Sequence, residues 1–589
     1  MLKKFFISVL GTITGVWISM GLLFFLLIMF AVMAGINEDS EKKEIKNNSI
    51  LYLKLSGAIN ERTQTNPLLT EIMGKDETPL ALNTVVAAIR TAAEDSKIEG
   101  LYIDAAGSFA GVSTLMEIRD AISDFKKEGK WVIAYGDSYT QGDYYLSSLA
   151  DSLYVNPMGG VDIHGLSANT LMFKGLLDKL GVEMQIVKVG TYKSAVEPFI
   201  LNEISPANEL QQKKFLFSIW NNITKEIADS RNVTVETINL WADSILVTVD
   251  PEKYPSMKVA SNTVYRHEVE SLLRELTGLD SDEKLRLVTP DEYASSRTLL
   301  HYKEKGSKIA VLLAEGDIVD EGNKGIVGPK MVSEIQKLID DDDIEALILR
   351  VNSPGGSAFA SEQIWEALQR FKETDRPFYV SMGDYAASGG YYISCGADKI
   401  FADPVTLTGS IGIFGMIPNL NGLMKDKLGL NQSIVKTNPS ADFVSITTPM
   451  SPVEKAALQR SVNRGYETFV SRVASGRGMS VDSVKVIAEG RVWTGEDAIA
   501  IGLVDELGGL EAAIRAMAEE LGTDDYCIVE YPNNKLSFRE MLEELNYGSF
   551  VEILARKTMT PVERDAADRI GQISKWNRIQ ARMPESIIE

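Results

Sequence analysis

Residues 136–165 and 383–412 carry the same pattern twice, and this duplication constrains the fold more than any other feature of the chain. The first copy reads GDSYTQGDYYLSSLADSLYVNPMGGVDIHG and the second GDYAASGGYYISCGADKIFADPVTLTGSIG, aligned without a gap at an offset of 247 residues. Gly136 faces Gly383, Tyr144-Tyr145 face Tyr391-Tyr392, Ala150-Asp151 face Ala397-Asp398, and Pro157 faces Pro404. The likeness extends outward: IEGLYIDAAGS (98–108) matches IEALILRVNSPGGS (344–357), ISPANE (204–209) matches MSPVEK (450–455), and VESLLRELTG (269–278) resembles LEAAIRAMAEELG (510–522). Solenoid repeats have periods of ~20–50 residues, so this longer period means two homologous domains, each with its own core.

Each copy alternates strand-like and helix-like segments. In the second, apolar runs at 308–316, 344–352 and 377–383 are separated by helical patterns at 332–341 and 361–373. A small-residue segment at 386–398 continues as a helix, followed by a short strand at 399–404. That alternation predicts an α/β fold: βαβ units forming a mainly parallel sheet with outer helices. Long helices are expected at 205–230 and 451–475, and a lysine-rich linker between the copies at 301–308. The segment after about Thr558 is polar and helix-prone, with no chemical signature.

The copies differ where chemistry is expected. Ser388 stands opposite Gln141, at a predicted strand-to-helix turn where the hydroxyl is exposed beside backbone N–H groups and the positive helix end. Gly389 would allow close approach of a substrate backbone, and its amide could hold an oxyanion. Ser353-Pro354-Gly355-Gly356 ends the neighbouring strand, and its glycine amides could supply a second donor; the first copy has Ala105-Ala106-Gly107-Ser108 there. Taken alone, a Ser-Gly-Gly turn is equally a tight structural loop. A serine needs a base, and the three histidines, His164, His267 and His301, lie in no triad context; His164 falls opposite Ile411 and suggests a packing position. Lysine neutralised by burial is the alternative. Lys193, in Val189-Gly190-Thr191-Tyr192-Lys193-Ser194-Ala195-Val196, has no counterpart in the second copy, which reads Thr437-Asn438-Pro439-Ser440-Ala441. A surface lysine is the plainer reading of that segment by itself. One copy with a serine and the other with a lysine is the pattern of a dyad shared between domains.

The N-terminus is distinct. Lys3 and Lys4 precede an uncharged stretch from Phe5 to Ile36, about twice the length of a signal-peptide core of ~7–15 residues, so an uncleaved membrane anchor is expected. The acidic run Glu38-Asp39-Ser40-Glu41 follows, which by the positive-inside rule leaves the N-terminus cytoplasmic and the remainder outside. The net charge of −22 argues against nucleic acid as a partner. Cys395 and Cys527 allow at most one disulfide, and Cys395 reads as a buried structural thiol.

GTYKSAVEPF (190–199), VNSPGGSAFASE (351–362), MGDYAASGGYYIS (382–394) and LTGSIGIFG (407–415) together resemble the long, duplicated form of the membrane-anchored bacterial signal peptide peptidase A family, peptidase family S49, of Clp/crotonase-like fold. The resemblance covers the anchor and both repeats. It implies a serine endopeptidase with a Ser/Lys dyad: Ser388 as nucleophile and Lys193 as general base. It also puts oxyanion or substrate contacts at Gly355, Gly356 and Gly389, and a lysine-orienting hydroxyl at Ser410. No cofactor or metal is implied. The expected division is 1–48 for the cytoplasmic N-terminus, transmembrane anchor and linker, and 49–302 for the lysine-bearing repeat. The serine-bearing repeat follows at 303–545 and a C-terminal tail at 546–589. The resemblance further implies a homotetramer whose domains form a bowl facing the membrane. Its substrates would be remnant signal peptides and other apolar extended peptides, at the extracytoplasmic face of a bacterial inner membrane. Two alternatives are an acyl-CoA enzyme of the crotonase type, which needs a carboxylate acid/base and a CoA site, and a catalytically inactive membrane scaffold.

Overall fold

The computed structural model describes residues 44–63, 79–302, 305–532, 579–583 and 587–588, with the isolated positions 15, 19 and 20. Apart from Gly15, Ser19 and Met20, the apolar run expected to anchor the chain lies outside the described residues. Among the described residues, no helix is long and apolar enough to cross a membrane.

The first repeat runs β1 (Ser49–Asn60), α1 (Leu82–Glu94), β2 (Ile98–Phe109), α2 (Val112–Lys127), β3 (Trp131–Tyr139), α3 (Gln141–Ser147) and β4 (Ser152–Val161). Its strands pair in parallel in the order β1-β2-β3-β4, and the sheet is extended at its two edges by Leu80–Ala81 and Asn262–Thr263. Then come β5 (Glu183–Lys188), which leaves this sheet, and the long helix α4 (Pro206–Arg231).

The second repeat follows the same plan. It runs β6 (Ser307–Glu315), α5 (Gly328–Asp340), β7 (Ile344–Ser353), β8 (Gly355–Ser357), α6 (Ala358–Lys372), β9 (Phe378–Ala387) and α7 (Gly389–Ser394). After these come β10 (Lys399–Ala402), β11 (Leu407–Gly409), β12 (Phe414–Asn419), α8 (Pro452–Gly476), β13 (Val492–Thr494), α9 (Leu510–Leu521) and β14 (Tyr526–Tyr531). The sheet order is β13-β11-β9-β7-β6-β14, with β10 beside β9. Strand β7, IEALILRVNS, is almost wholly buried, because a parallel strand covered by helices on both faces must be apolar on both.

The matched Ile/Met-Ser-Pro segments start the two long helices. Ser205 and Ser451 cap α4 and α8 by accepting the amides of Asn208 and Glu454, and Pro206 and Pro452 occupy first-turn positions where no amide partner is needed. The helix expected over 386–398 is shorter than the pattern suggests. Strand β9 continues to Ala387, and helical hydrogen bonding begins only after Ser388.

A third sheet joins the halves. It runs Ile326–Val327, Ile318–Val319, β8, β15 (Gln580–Arg582), β12 and β5. Strand β5 of the first repeat thus pairs antiparallel with β12 of the second, from Glu183 opposite Asn419 to Lys188 opposite Phe414. Strand β15 corrects the helix-prone reading of the tail for these residues. Ile579, Ala581 and Met583 alternate with Gln580 and Arg582, a period of two that suits a strand, and the facing edges of β8 and β12 supply its partners.

Candidate active site

Ser388 sits at the junction of β9 and α7, with φ of 55° and ψ of −110°. A non-glycine residue at positive φ is strained, and the surroundings hold it there: its amide donates to the Gly409 carbonyl at 2.8 Å and its carbonyl accepts from Tyr392 at 2.8 Å. The side chain is fully buried and lies where the strand end meets the helix N-terminus.

Lys193 arrives from the other repeat. Its loop is fastened by the Tyr192 amide to the Glu489 carbonyl at 2.9 Å and by Gln211 Nε2 to the Tyr192 carbonyl at 3.2 Å. Gly490 lies against the lysine so closely that a Cβ there would fall 2.7 Å from Lys193 Cβ, and Gly490 has φ of 75°. The ammonium nitrogen is 2.7 Å from Ser388 Oγ, 3.0 Å from the Ser410 carbonyl and 3.1 Å from Ser410 Oγ. Lys193 is 0% exposed, and burial drives its pKa well below the ordinary lysine range. No acid contributes to that shift, so nothing opposes the desolvation that favours the neutral amine.

Gly355, Gly356 and Gly389 converge beside the serine. Gly355 has φ of 100°, a left-handed backbone open to glycine, and a Cβ there would stand 2.7 Å from the Gly389 nitrogen. Strand β15 runs along β8 on this side, with Ala581 opposite Gly356. All six residues singled out in the sequence, Ser388, Lys193, Gly355, Gly356, Gly389 and Ser410, therefore meet in one place within one chain.

The equivalent place in the first repeat is filled. Asp143, aligned with Gly390, accepts from the Gly107 and Ser108 amides at 3.0 and 3.2 Å and from the Ser108 hydroxyl at 2.5 Å. Gln141, aligned with Ser388, accepts the His164 and Gly165 amides at 3.1 Å each. A turn that would present amides to an oxyanion is here neutralised by the chain's own carboxylate.

The histidines are remote from this chemistry. His164 is exposed, with its ring 2.9 Å from Asp162, rather than packed as its alignment with buried Ile411 suggested. Its hydrogen-bond partner Asp162 is two residues away on the same exposed segment. His267 is exposed, and His301 stacks on Tyr526 at 4.9 Å. Cys395 is fully buried at the end of α7, and burial pushes its thiol up to about 12, so it remains a protonated packing group. Both cysteines are free. The approach of β15 to the site was not expected. Its only sequence signal is the short alternation at 579–583, too brief to stand out.

Comparison with known proteins identifies relatives of the whole chain. The profile of peptidase family S49 matches residues 124–249 and 370–524. The chain is 38% identical over 538 residues to Protease 4 of Haemophilus influenzae, covering 88% of this chain and 86% of that one. It is 35% identical over 561 residues to Protease 4 of Salmonella typhi, covering 92% and 89%. It is 29% identical over 552 residues to Serine protease SPPA, chloroplastic, of Arabidopsis thaliana, covering 92% and 78%.

Proposed function

The chain belongs to peptidase family S49 and is a serine protease, and from that membership we propose that Ser388 is its nucleophile and Lys193 its general base. The observation that carries this reading is the 2.7 Å separation of a fully buried, partnerless-by-acid lysine amine and a serine hydroxyl. A neutral amine has two N–H groups and one lone pair. The two N–H groups are used by the Ser410 carbonyl and hydroxyl, at 3.0 and 3.1 Å, which leaves the lone pair to accept the Ser388 proton. Ser410 is thus a positioning residue.

Ser388 Oγ attacks a peptide carbonyl while Lys193 takes its proton. The developing oxyanion is held by amides at the Gly355-Gly356 turn and Gly389. Lys193 delivers the proton to the leaving amine, and water deprotonated by the same lysine hydrolyses the acyl-enzyme. The substrates in this reading are extended apolar peptides, remnant signal peptides above all. The cleft along β12 suits them: it has a volume of about 580 Å³ and is lined by Phe359, Tyr392, Ile413, Met416, Ile417 and Leu458.

The wider arrangement belongs to the same proposal. Residues 1–48 anchor the chain in the bacterial inner membrane with the N-terminus cytoplasmic, 49–302 and 303–545 form the two extracytoplasmic repeats, 546–589 is a tail, and the protein assembles as a homotetramer. The test is hydrolysis of a fluorogenic apolar peptide by the wild type, Ser388→Ala, Lys193→Met and a mixture of the two variants. Each single variant is expected to be inactive, with no recovery on mixing, because serine and lysine meet within one chain. Full activity in Lys193→Met would sink the assignment of the base.

A further inference from the structure

A buried carboxamide joins the loop that carries the base to the strands that seat the nucleophile. Gln211, in the second turn of α4, is 2% exposed. Its Nε2 donates to the Tyr192 carbonyl at 3.2 Å, to Ser194 Oγ at 3.0 Å and to Asn208 Oδ1 at 3.0 Å. Its Oε1 accepts the Val492 amide at 3.3 Å. These partners fix the orientation of the side chain, since exchanging its ends would set oxygen against the Tyr192 carbonyl and N–H against the Val492 N–H. Tyr192 and Ser194 flank Lys193, so one side chain holds the chain on both sides of the base.

The other end of the carboxamide reaches the serine-bearing repeat. Val492 opens β13 and pairs with Gly409 of β11, whose carbonyl accepts the Ser388 amide at 2.8 Å. The neighbouring Arg491 carbonyl accepts the Ser410 amide at 2.7 Å, and Ser410 in turn bonds the lysine amine. Behind Gln211 the network ends on a buried carboxylate. Asn208 Oδ1 accepts from Ser194 Oγ at 3.0 Å, and Asn208 Nδ2 donates to Glu197 at 3.0 Å. Glu197 also accepts the Ser205 amide at 3.1 Å and its hydroxyl at 2.6 Å. Buried polar groups bonded to one another in this way specify a single arrangement. The duplication points the same way: counting from the matched Ser205 and Ser451, Ala457 stands at the place of Gln211 in the copy that lacks the lysine.

We propose that Gln211 is a positioning residue for the hydrolysis, holding Lys193 in register with Ser388 and Ser410 across the boundary between the repeats. The proposal rests on the Ser388/Lys193 reading. Without the carboxamide, the lysine loop and β13 lose the side chain that ties them together, and the amine is free to leave its 2.7 Å contact and meet water. Charged groups around the loop are Glu197, Lys188 and Arg491. The Lys188 ammonium donates to the Lys193 carbonyl at 3.4 Å, and the Arg491 guanidinium lies over the Tyr192 ring at 5.1 Å. Burial, rather than any of these charges, sets the protonation of Lys193, so entry of water raises the pH at which activity appears.

The experiment is the pH dependence of kcat and KM for a fluorogenic apolar peptide, measured on the full chain in detergent. Gln211→Met keeps the length and removes both polar ends; Gln211→Glu keeps an acceptor for Val492 and replaces the donor. Gln211→Met should lower kcat on the order of 100-fold with little change in KM, as a displacement near ~1 Å does. Both variants should move the acid limb upward on the order of one pH unit, the first by admitting water and the second by placing a carboxylate near the ammonium. Asn239→Ala is the control. It removes a 2.8 Å bond to Trp220, which lies about 13 Å further along α4, and should lower Tm while leaving kcat and the acid limb unchanged. Wild-type kcat and midpoint in the Gln211 variants, beside an inactive Lys193→Met, would overturn the proposal and leave the dyad standing. A fall in kcat that only follows lost Tm in all three variants, with the midpoint fixed, would overturn it too. Activity in Lys193→Met would instead remove the dyad reading beneath it.

Discussion

Lys193 illustrates how one residue sets both the chemistry and its cost. Burial depresses its pKa, so the folded protein binds fewer protons than the unfolded chain over the interval between that depressed value and ~10.4, the value of a free lysine. Stability therefore rises with pH through this interval, and below it the full cost of burying the charge is present. Lys193→Met should raise Tm at pH 7 while abolishing peptide hydrolysis, and the Tm advantage should vanish above about pH 11. Calorimetry across that range checks the sign. Activity of the wild type should fall as pH drops, because protonation removes the lone pair, with a midpoint below the ordinary lysine range. Ser388→Ala should lower kcat on the order of 10⁶-fold, as the loss of a nucleophile does in other serine peptidases.

At the scale of elements, the site depends on loops that leave no room for side chains. Gly490, between α8 and β13, has φ of 75° and touches the Lys193 backbone. Gly490→Ala should push the lysine away from Ser388 and lower kcat on the order of 100-fold, the cost of a displacement near 1 Å, with a smaller effect on KM. Gly478 is the control. It also has positive φ, at 62°, but nothing lies within 4 Å of its absent Cβ. Gly478→Ala should cost about 1–2 kcal/mol from backbone strain alone and leave kcat unchanged. Steady-state kinetics and urea denaturation of the two variants separate crowding of the site from simple strain.

The whole molecule is held in register by buried charge between the repeats. Arg350 of β7, 1% exposed, bonds both oxygens of Glu61 at 2.9 and 3.0 Å and Glu117 at 2.5 Å. Burial disfavours its charge, but Glu117 and Glu61 outweigh that and keep the guanidinium protonated. Burial pushes Glu117 upward against the pull of Arg350. Both acids belong to the first repeat's segments and the arginine to the second, and the Ser113 hydroxyl adds a 2.5 Å bond to Asp403 across the same boundary. Arg350→Met should destabilise the protein by about 3–5 kcal/mol, because two buried carboxylates are left facing each other. Since Lys193 and Ser388 come from opposite sides of this boundary, activity should disappear in urea before the sheets unfold. Parallel measurement of hydrolysis and far-ultraviolet circular dichroism checks that order.

What the amino-acid sequence determined by itself was whatever repeats or alternates over short distances. The duplication, the strand–helix order and the Ser-Pro helix starts are local patterns of hydrophobicity and capping, and Ser388 and Lys193 stood out because each is missing from the other copy. The tertiary structure alone decided what those patterns share. Only the packing of the 190–193 loop against Gly490 and Ser410 removes water from Lys193 and brings it to Ser388, 195 positions away. Only the pairing of β5 with β12 and of β15 with β8 builds the groove, because the donors and acceptors of a strand edge are the same in any sequence. Its partner is chosen by which edges the folded chain leaves open.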